Sequence, residues 1–93
     1  MSKSILQADT DRCYLCGRRT DLETHHILGG IANRRLSERY GLTVRLCQSC
    51  HTGTDGAQYD KTLNRRLKQE AQQAFETIYG HDVWMELFMK NYL

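Results

Sequence analysis

The feature that most constrains this chain is its set of four cysteines, which form two Cys-x-x-Cys pairs, Cys13/Cys16 and Cys47/Cys50, separated by 30 residues. A chain of 93 residues buries only about 60 to 65% of the surface that it exposes when unfolded, so a cross-link is expected. In a reducing compartment, two such pairs are typical of four thiolates arranged around one structural Zn²⁺. The 30-residue separation is longer than in a simple zinc finger, which indicates that further structure is built between the pairs.

The same cysteines admit three other interpretations. Cys47 to His51 reads Cys-x-x-Cys-His, the pattern of a c-type haem attachment site, although this would leave the first pair without a role. A single redox-active pair of the thioredoxin kind is a second alternative. Buried thiols without a ligand are the third.

The rest of the composition predicts one cytoplasmic domain over residues 1–93. The mean hydropathy is −0.64, and no apolar run approaches the roughly 18 residues that a membrane span requires. The first residues contain neither the apolar stretch nor the small-residue cleavage site of a secretory signal. We therefore expect no membrane partner.

Between the cysteine pairs, the sequence predicts a strand over residues 22–28, which Gly29 and Gly30 end. Asn33 is a candidate N-cap for a short helix through Tyr40, and Gly41 stands where a left-handed residue ends a helix. Residues 42–46 alternate apolar and polar side chains and predict a half-buried second strand.

After the second pair, residues 51–59 are predicted to form a loop, with a short helix near Cys50 as the alternative. Asp60 is a candidate N-cap for an amphipathic helix over residues 61–79. After a link at residues 80–82, in which His81 lies at a helix terminus, a second helix is predicted from Val83 toward Asn91. The fold class expected from these elements is α+β, with a helical hairpin at the C-terminal end.

The aromatic side chains of this tail are predicted to be core. The alternative is that they form a subunit interface, which would make the chain a homodimer or bind a protein partner.

Positive charge is concentrated in the cysteine-containing half. Residues 12–45 hold seven arginines and three acidic residues, whereas residues 60–93 have five of each sign. Arg34, Arg35 and Arg39 would lie on the short helix, with the last two one turn apart and suited to successive DNA phosphates. The alternative is a solvated helix face.

The histidines complete a pattern that points to a family. His25 and His26, followed by Ile27, lie in the second half of the first predicted strand, and His51 directly follows the last cysteine. With the two cysteine pairs, the Gly29-Gly30 loop and the strand before Cys47, the chain resembles the His-Asn-His (HNH), or ββα-metal, nuclease family in its zinc-knuckle form. The whole chain is also similar to small phage- and prophage-encoded HNH-like proteins.

This resemblance implies a zinc-stabilised ββα-metal core over residues 13–55, followed by a helical tail over residues 60–92, and a metal-dependent DNA endonuclease activity. By the family's pattern, His26 is the general base. A catalytic Mg²⁺ or Mn²⁺ is held by His25, His51 and Asp55.

The chain departs from the family pattern in two places and raises one geometric condition. Asp55 fits as the third metal ligand only if the turn that precedes it is helical. The family's asparagine is replaced by Leu42, so Asn33 is the candidate that supports the catalytic loop. Adjacent strand residues point to opposite faces, so His25 and His26 can share a site only if the strand ends or bulges there. Two other functions stay open: a catalytically silent zinc module that binds nucleic acid or a recombination or packaging partner, and a regulator whose aromatic tail binds a partner protein.

Overall fold

The computed structural model describes residues 3–53, 56 and 60–93. These form a two-stranded antiparallel sheet and four helices, so the predicted α+β class is confirmed. In chain order the elements are β1 (Leu22–His26), α1 (Ile31–Tyr40), β2 (Thr43–Cys47), α2 (Gln48–His51), α3 (Lys61–Tyr79) and α4 (His81–Phe88). Within the described ranges, no helix combines the length and the apolar character needed to cross a membrane.

The two strands pair in a regular register that runs from Leu22 opposite Cys47 to His26 opposite Thr43. β1 ends at His26, two residues earlier than predicted, because the chain turns there and buries Ile27 and Leu28 in the core. β2 lies one residue later than predicted. It is buried along most of its length and not half-buried, because core residues cover one face and the segment before Cys13 lies along the other.

Helix α1 begins earlier than predicted. Its N-cap is Gly30, at φ 90°, a backbone conformation that favours glycine, and Asn33 lies inside the first turn. The interpretation of Asn33 as the helix cap is therefore wrong. The predicted left-handed Gly41 is confirmed at φ 73°, with its N–H donated to the Ser37 carbonyl. A Cβ atom at this position would also collide with the Lys3 carbonyl oxygen. Both the backbone conformation and the close approach of Lys3 therefore require glycine at position 41.

The C-terminal hairpin is close to its prediction. Asp60 caps α3: its Oδ1 accepts hydrogen bonds from the backbone N–H groups of Thr62 (2.9 Å) and Leu63 (3.1 Å). The link to α4 is shorter than predicted, because Gly80 alone separates the two helices and His81 is already the first residue of α4. α4 also ends earlier than predicted, at Phe88, where Met89 takes a left-handed conformation at φ 56°.

One hydrophobic core joins the sheet to the hairpin. Trp84 and Phe75 are completely buried, and their ring centroids lie 5.4 Å apart. The Tyr40 ring at the end of α1 contacts Phe75 edge-on at 5.4 Å, and Val44 and Leu46 of β2 belong to the same cluster. The prediction that the aromatic residues of the tail are core is confirmed for Phe75 and Trp84.

Candidate metal centre and histidine pair

The register of the sheet explains how cysteines far apart in the chain converge. Cys47 ends β2 opposite Leu22, the first residue of β1. The segment that contains the first pair is bonded to β2, because the Tyr14 N–H donates to the Arg45 carbonyl at 2.8 Å. The N–H of Cys13 donates to the Arg18 carbonyl at 2.7 Å, which closes the first Cys-x-x-Cys turn. Both pairs are thus attached to the same end of the sheet.

The four cysteines form one cluster of free thiols. Their sulfur atoms all lie within 4.8 Å of one another, and the Cys16 and Cys47 sulfurs are 3.6 Å apart. Zn–S bonds of about 2.3 Å place the sulfurs of a tetrahedral site about 3.8 Å apart. Four close cysteines in this arrangement can hold a metal ion such as zinc.

The surroundings of Cys13 favour its thiolate form. Burial alone would raise the pKa of this thiol, but backbone N–H groups, including those of Cys47 and Cys16, outweigh it and lower the pKa of Cys13 to about 6. The Cys16 N–H lies 3.5 Å from the Cys13 sulfur. By contrast, burial raises the pKa of the Cys50 thiol. A bound cation would reverse that, because metal coordination deprotonates a thiol.

Next to the cysteines, β1 and α2 bring two histidine rings together. The centroids of His25 and His51 lie 5.0 Å apart in an edge-on contact. His51 Nδ1 lies 2.9 Å from the Glu23 Oε1, and because a carboxylate only accepts, this nitrogen carries a proton. Glu23 and His25 lie two residues apart on one strand, so they share a face of the sheet.

Of the two histidines, His25 has a ring nitrogen without a hydrogen-bond partner. It is 8% exposed, and its Nε2 is buried without a hydrogen-bond partner among the described residues. Burial, together with the nearby rings of His51 and His26, lowers the pKa of His25 to about 4. The ring is therefore neutral at neutral pH, and a nitrogen lone pair is available to a ligand.

His26 belongs to the other face of the sheet. β1 continues regularly through His26, which pairs with Thr43, so the end or bulge that would let both histidines share one face is not found between them. The His26 Nε2 lies 3.0 Å from the Glu38 Oε1 of α1. The carboxylate orients this ring as Glu23 orients His51, on the opposite side of the strand.

The remaining predicted site residues are distributed as follows. Arg34 and Arg35 are exposed on α1, and the Arg39 guanidinium lies over the Tyr40 ring, 5.6 Å from its centroid. Asn33 is partly buried in the first turn of this helix. Asp55 lies outside the described residues.

Sequence reasoning missed the two carboxylates that hold the histidines, Glu23 and Glu38. A signal for Glu23 exists in the sequence, because a residue two positions before His25 on a strand must share its face. Glu38 has no such signal, since its contact with His26 depends on how α1 packs against β1.

The fold and the cysteine cluster define a small α+β protein with four cysteines placed so that they can hold one metal ion. Comparison with protein-family models, with curated proteins and with solved structures finds no match for this chain.

Proposed function

We propose that the protein is a metal-dependent DNA endonuclease of the HNH type, with a zinc-stabilised ββα-metal core over residues 13–55. In this proposal the four cysteines hold structural zinc, and His25 and His51 hold the hydrolytic ion. The observation that carries it is the buried, unpartnered Nε2 of His25 against the ring of His51. Leaving such an atom unsatisfied costs about 1 to 3 kcal/mol, and a metal ion satisfies it.

The hydrogen bond between His51 and Glu23 supports this assignment. A metal-binding histidine commonly donates its other ring N–H to a carboxylate, which fixes the tautomer and the direction of the free lone pair. Glu23 stands in that relation to His51. Glu23 is therefore the positioning residue of the proposed ligand pair.

The donor set favours Mn²⁺ over Mg²⁺. Imidazole nitrogens bind transition metals better than they bind Mg²⁺, which prefers oxygen ligands. Apart from the four cysteines, no group of three or more histidine, cysteine, aspartate or glutamate side chains converges within the described part of the chain. Asp55 is the third ligand that the resemblance implies, and phosphate oxygens would complete the coordination.

His26 is the proposed general base. Its Nε2–H donates to Glu38, which leaves the lone pair of Nδ1 to accept a proton from the attacking water. The divalent ion, when bound, neutralises the charge that develops on the phosphate. Arg34, Arg35 and Arg39, on α1, are the proposed contacts to the DNA backbone.

The position of His26 favours a second candidate function. His25 and His26 project from opposite faces of β1, so one phosphate must lie at the end of this strand to meet both. If it does not, the chain is a catalytically silent zinc module that binds nucleic acid through α1 and acts with a recombination or packaging partner.

Cleavage of supercoiled plasmid by zinc-loaded protein tests the proposal. Omitting the second divalent ion is a better control than a chelator, because a chelator also removes structural zinc. We expect cleavage with Mn²⁺, weaker cleavage with Mg²⁺ and none without either. His26→Ala should lower the rate by about 10² to 10⁴-fold with DNA affinity unchanged, whereas His81→Ala, an exposed histidine of α4, should have no effect.

Two further variants separate the roles. His51→Ala should weaken the response to Mn²⁺, with partial recovery at higher Mn²⁺, because it removes a ligand and not the base. Arg35→Ala should flatten the dependence of log Kd on log salt by about 0.9. If the wild type binds DNA but shows no cleavage with any divalent ion, the endonuclease is rejected and the silent module remains.

A further inference from the structure

A second site lies on the face of the sheet opposite His25. Here the N-terminal segment, residues 3–10, crosses the strands and encloses a cavity of about 330 Å³. Three hydrogen bonds hold the segment in place: the Ile5 N–H donates to the Gly41 carbonyl at 2.9 Å, the Arg45 N–H donates to Gln7 Oε1 at 2.8 Å, and Gln7 Nε2 donates to the Arg12 carbonyl at 2.6 Å. These bonds fix the segment that forms one wall of the cavity.

The wall of this cavity is cationic and rich in hydroxyl groups. Lys3 and Arg45 line it together with four hydroxyl-bearing residues, Ser4, Thr10, Thr24 and Thr43, and no carboxylate of the described residues does. Thr24 lies directly opposite Arg45 in the register, so both project from the same face of the sheet. Neither Lys3 nor Arg45 forms an ion pair with a carboxylate in the ranges that the structure describes.

Two residues that line the cavity, Arg45 and Ser4, have donor groups without a strong acceptor in the described part of the chain. The Arg45 Nε is buried with no hydrogen-bond partner in the described part of the chain, and one guanidinium Nη reaches only the Leu22 carbonyl, at 3.5 Å. The Ser4 hydroxyl oxygen accepts from the N–H groups of Leu6 and Gln7, both at 3.1 Å, so its O–H proton is left to donate. A buried guanidinium N–H without an acceptor is costly.

We propose that this cavity is a binding site for an oxyanion of the phosphate class. An ammonium, a guanidinium and several hydroxyl groups around one space match the charge and the many acceptor oxygens of a phosphate. The phosphate is either a free ion or the terminal group of a nucleic acid. The site does not depend on metal-assisted cleavage, because none of its residues belongs to the cysteine cluster or to the histidine pair.

Titration of isotope-labelled protein with inorganic phosphate, followed by amide chemical shifts, tests this site. We expect saturable shifts at Thr24 and Arg45, and none with chloride at equal ionic strength. Lys3→Ala and Arg45→Gln should each weaken phosphate binding by about tenfold, since each removes a charge-assisted hydrogen bond. Arg65→Ala, which removes an exposed charge from α3 outside the cavity, should leave the affinity unchanged.

Further variants and ligands keep the test decisive if Arg45→Gln unfolds. Thr24→Val keeps the shape of the side chain and removes only its hydroxyl, so it should also weaken phosphate binding. A 5′-phosphorylated oligonucleotide that displaces phosphate, where its unphosphorylated twin does not, would identify a nucleic-acid end as the occupant. Failure of both to displace phosphate would identify the free ion. Absence of saturable shifts, or equal weakening in Arg65→Ala, would overturn the site.

Discussion

Residues 13–51 and residues 60–93 share one hydrophobic core, yet different interactions hold them. The first region has two strands of five residues each, and a two-stranded sheet of this size is marginal on its own in water. The second has a 19-residue helix with a side-chain N-cap and two completely buried aromatic rings, Phe75 and Trp84. The hairpin is thus stabilised by burial and local helix signals, whereas the first region has less of both, and in the proposed function a metal held by the four cysteines supplies the difference.

The largest expected effect is therefore that of metal removal. Chelation, or Cys47→Ser, should abolish hydrogen-exchange protection in β1 and β2, because four-thiolate zinc sites contribute on the order of 10 kcal/mol or more to folding. Amides of α3 should keep more of their protection than amides of β2. Chelator added to Cys47→Ser is the control and should change nothing further. Equal loss in both regions would break the comparison.

The second-largest effect is expected in the hydrophobic core of the hairpin. Trp84→Ala should destabilise the protein by about 3 to 5 kcal/mol, because it empties a completely buried site. Denaturant unfolding measures this loss. Ile78→Ala, on the same hairpin but 57% exposed, should change stability by less than about 0.5 kcal/mol. If the Trp84→Ala variant remains folded but no longer binds zinc, the two regions are not stabilised separately.

A smaller effect is expected at the contact that joins the regions. The Tyr14 hydroxyl, next to the first cysteine, donates to Glu70 Oε1 of α3 at 2.9 Å, and burial together with Glu70 raises the pKa of Tyr14 to about 12. Tyr14→Phe should cost about 1.5 kcal/mol, as for a hydrogen bond to a charged group.

A double-mutant cycle with Glu70→Gln isolates the coupling at this contact. In Tyr14→Phe, chelation should also disturb α3 less than in the wild type. No coupling in the cycle would mean that this hydrogen bond does not connect the two regions.

The smallest effect is expected at the helix cap. Asp60→Ala removes the acceptor for two N–H groups at the start of α3 and should cost about 1 kcal/mol. Asp60→Asn retains an acceptor oxygen and should recover most of that loss. Thermal unfolding of the wild type and the two variants measures these losses of stability. If Asp60→Asn is as unstable as Asp60→Ala, the charge of the carboxylate matters and not its hydrogen bonds to the helix N-terminus.

The contrast between residues 13–51 and residues 60–93 also determines which features of the fold could be predicted from the sequence. The bounds of α3 were predictable because a cap residue, an apolar periodicity and a terminating glycine are all local. The convergence of the cysteine pairs followed from their number and spacing. The start of α1 was missed, because the chain bends at Gly30 and not at Asn33, a choice that depends on how Ile27 and Leu28 enter the core.

Some features of the candidate site could likewise be predicted from local sequence, and others could not. Alternation along a strand already required that His25 and His26 point apart unless the strand ended between them, and the regular pairing of His26 with Thr43 leaves them on opposite faces. The family resemblance placed His25 and His51 at one metal ion, and their rings are in contact. Alternation along β1 could have pointed to Glu23, which shares a face with His25. The contact of His26 with Glu38 depends on how α1 packs against β1, which no local pattern records.

The central claim, that a metal held by four thiolates organises the first region, is tested most directly by native mass spectrometry of protein purified without chelator. The account predicts a single zinc ion per chain in the wild type, and none in a variant with all four cysteines replaced by serine. Wild-type protein that is folded and free of metal at neutral pH would contradict it.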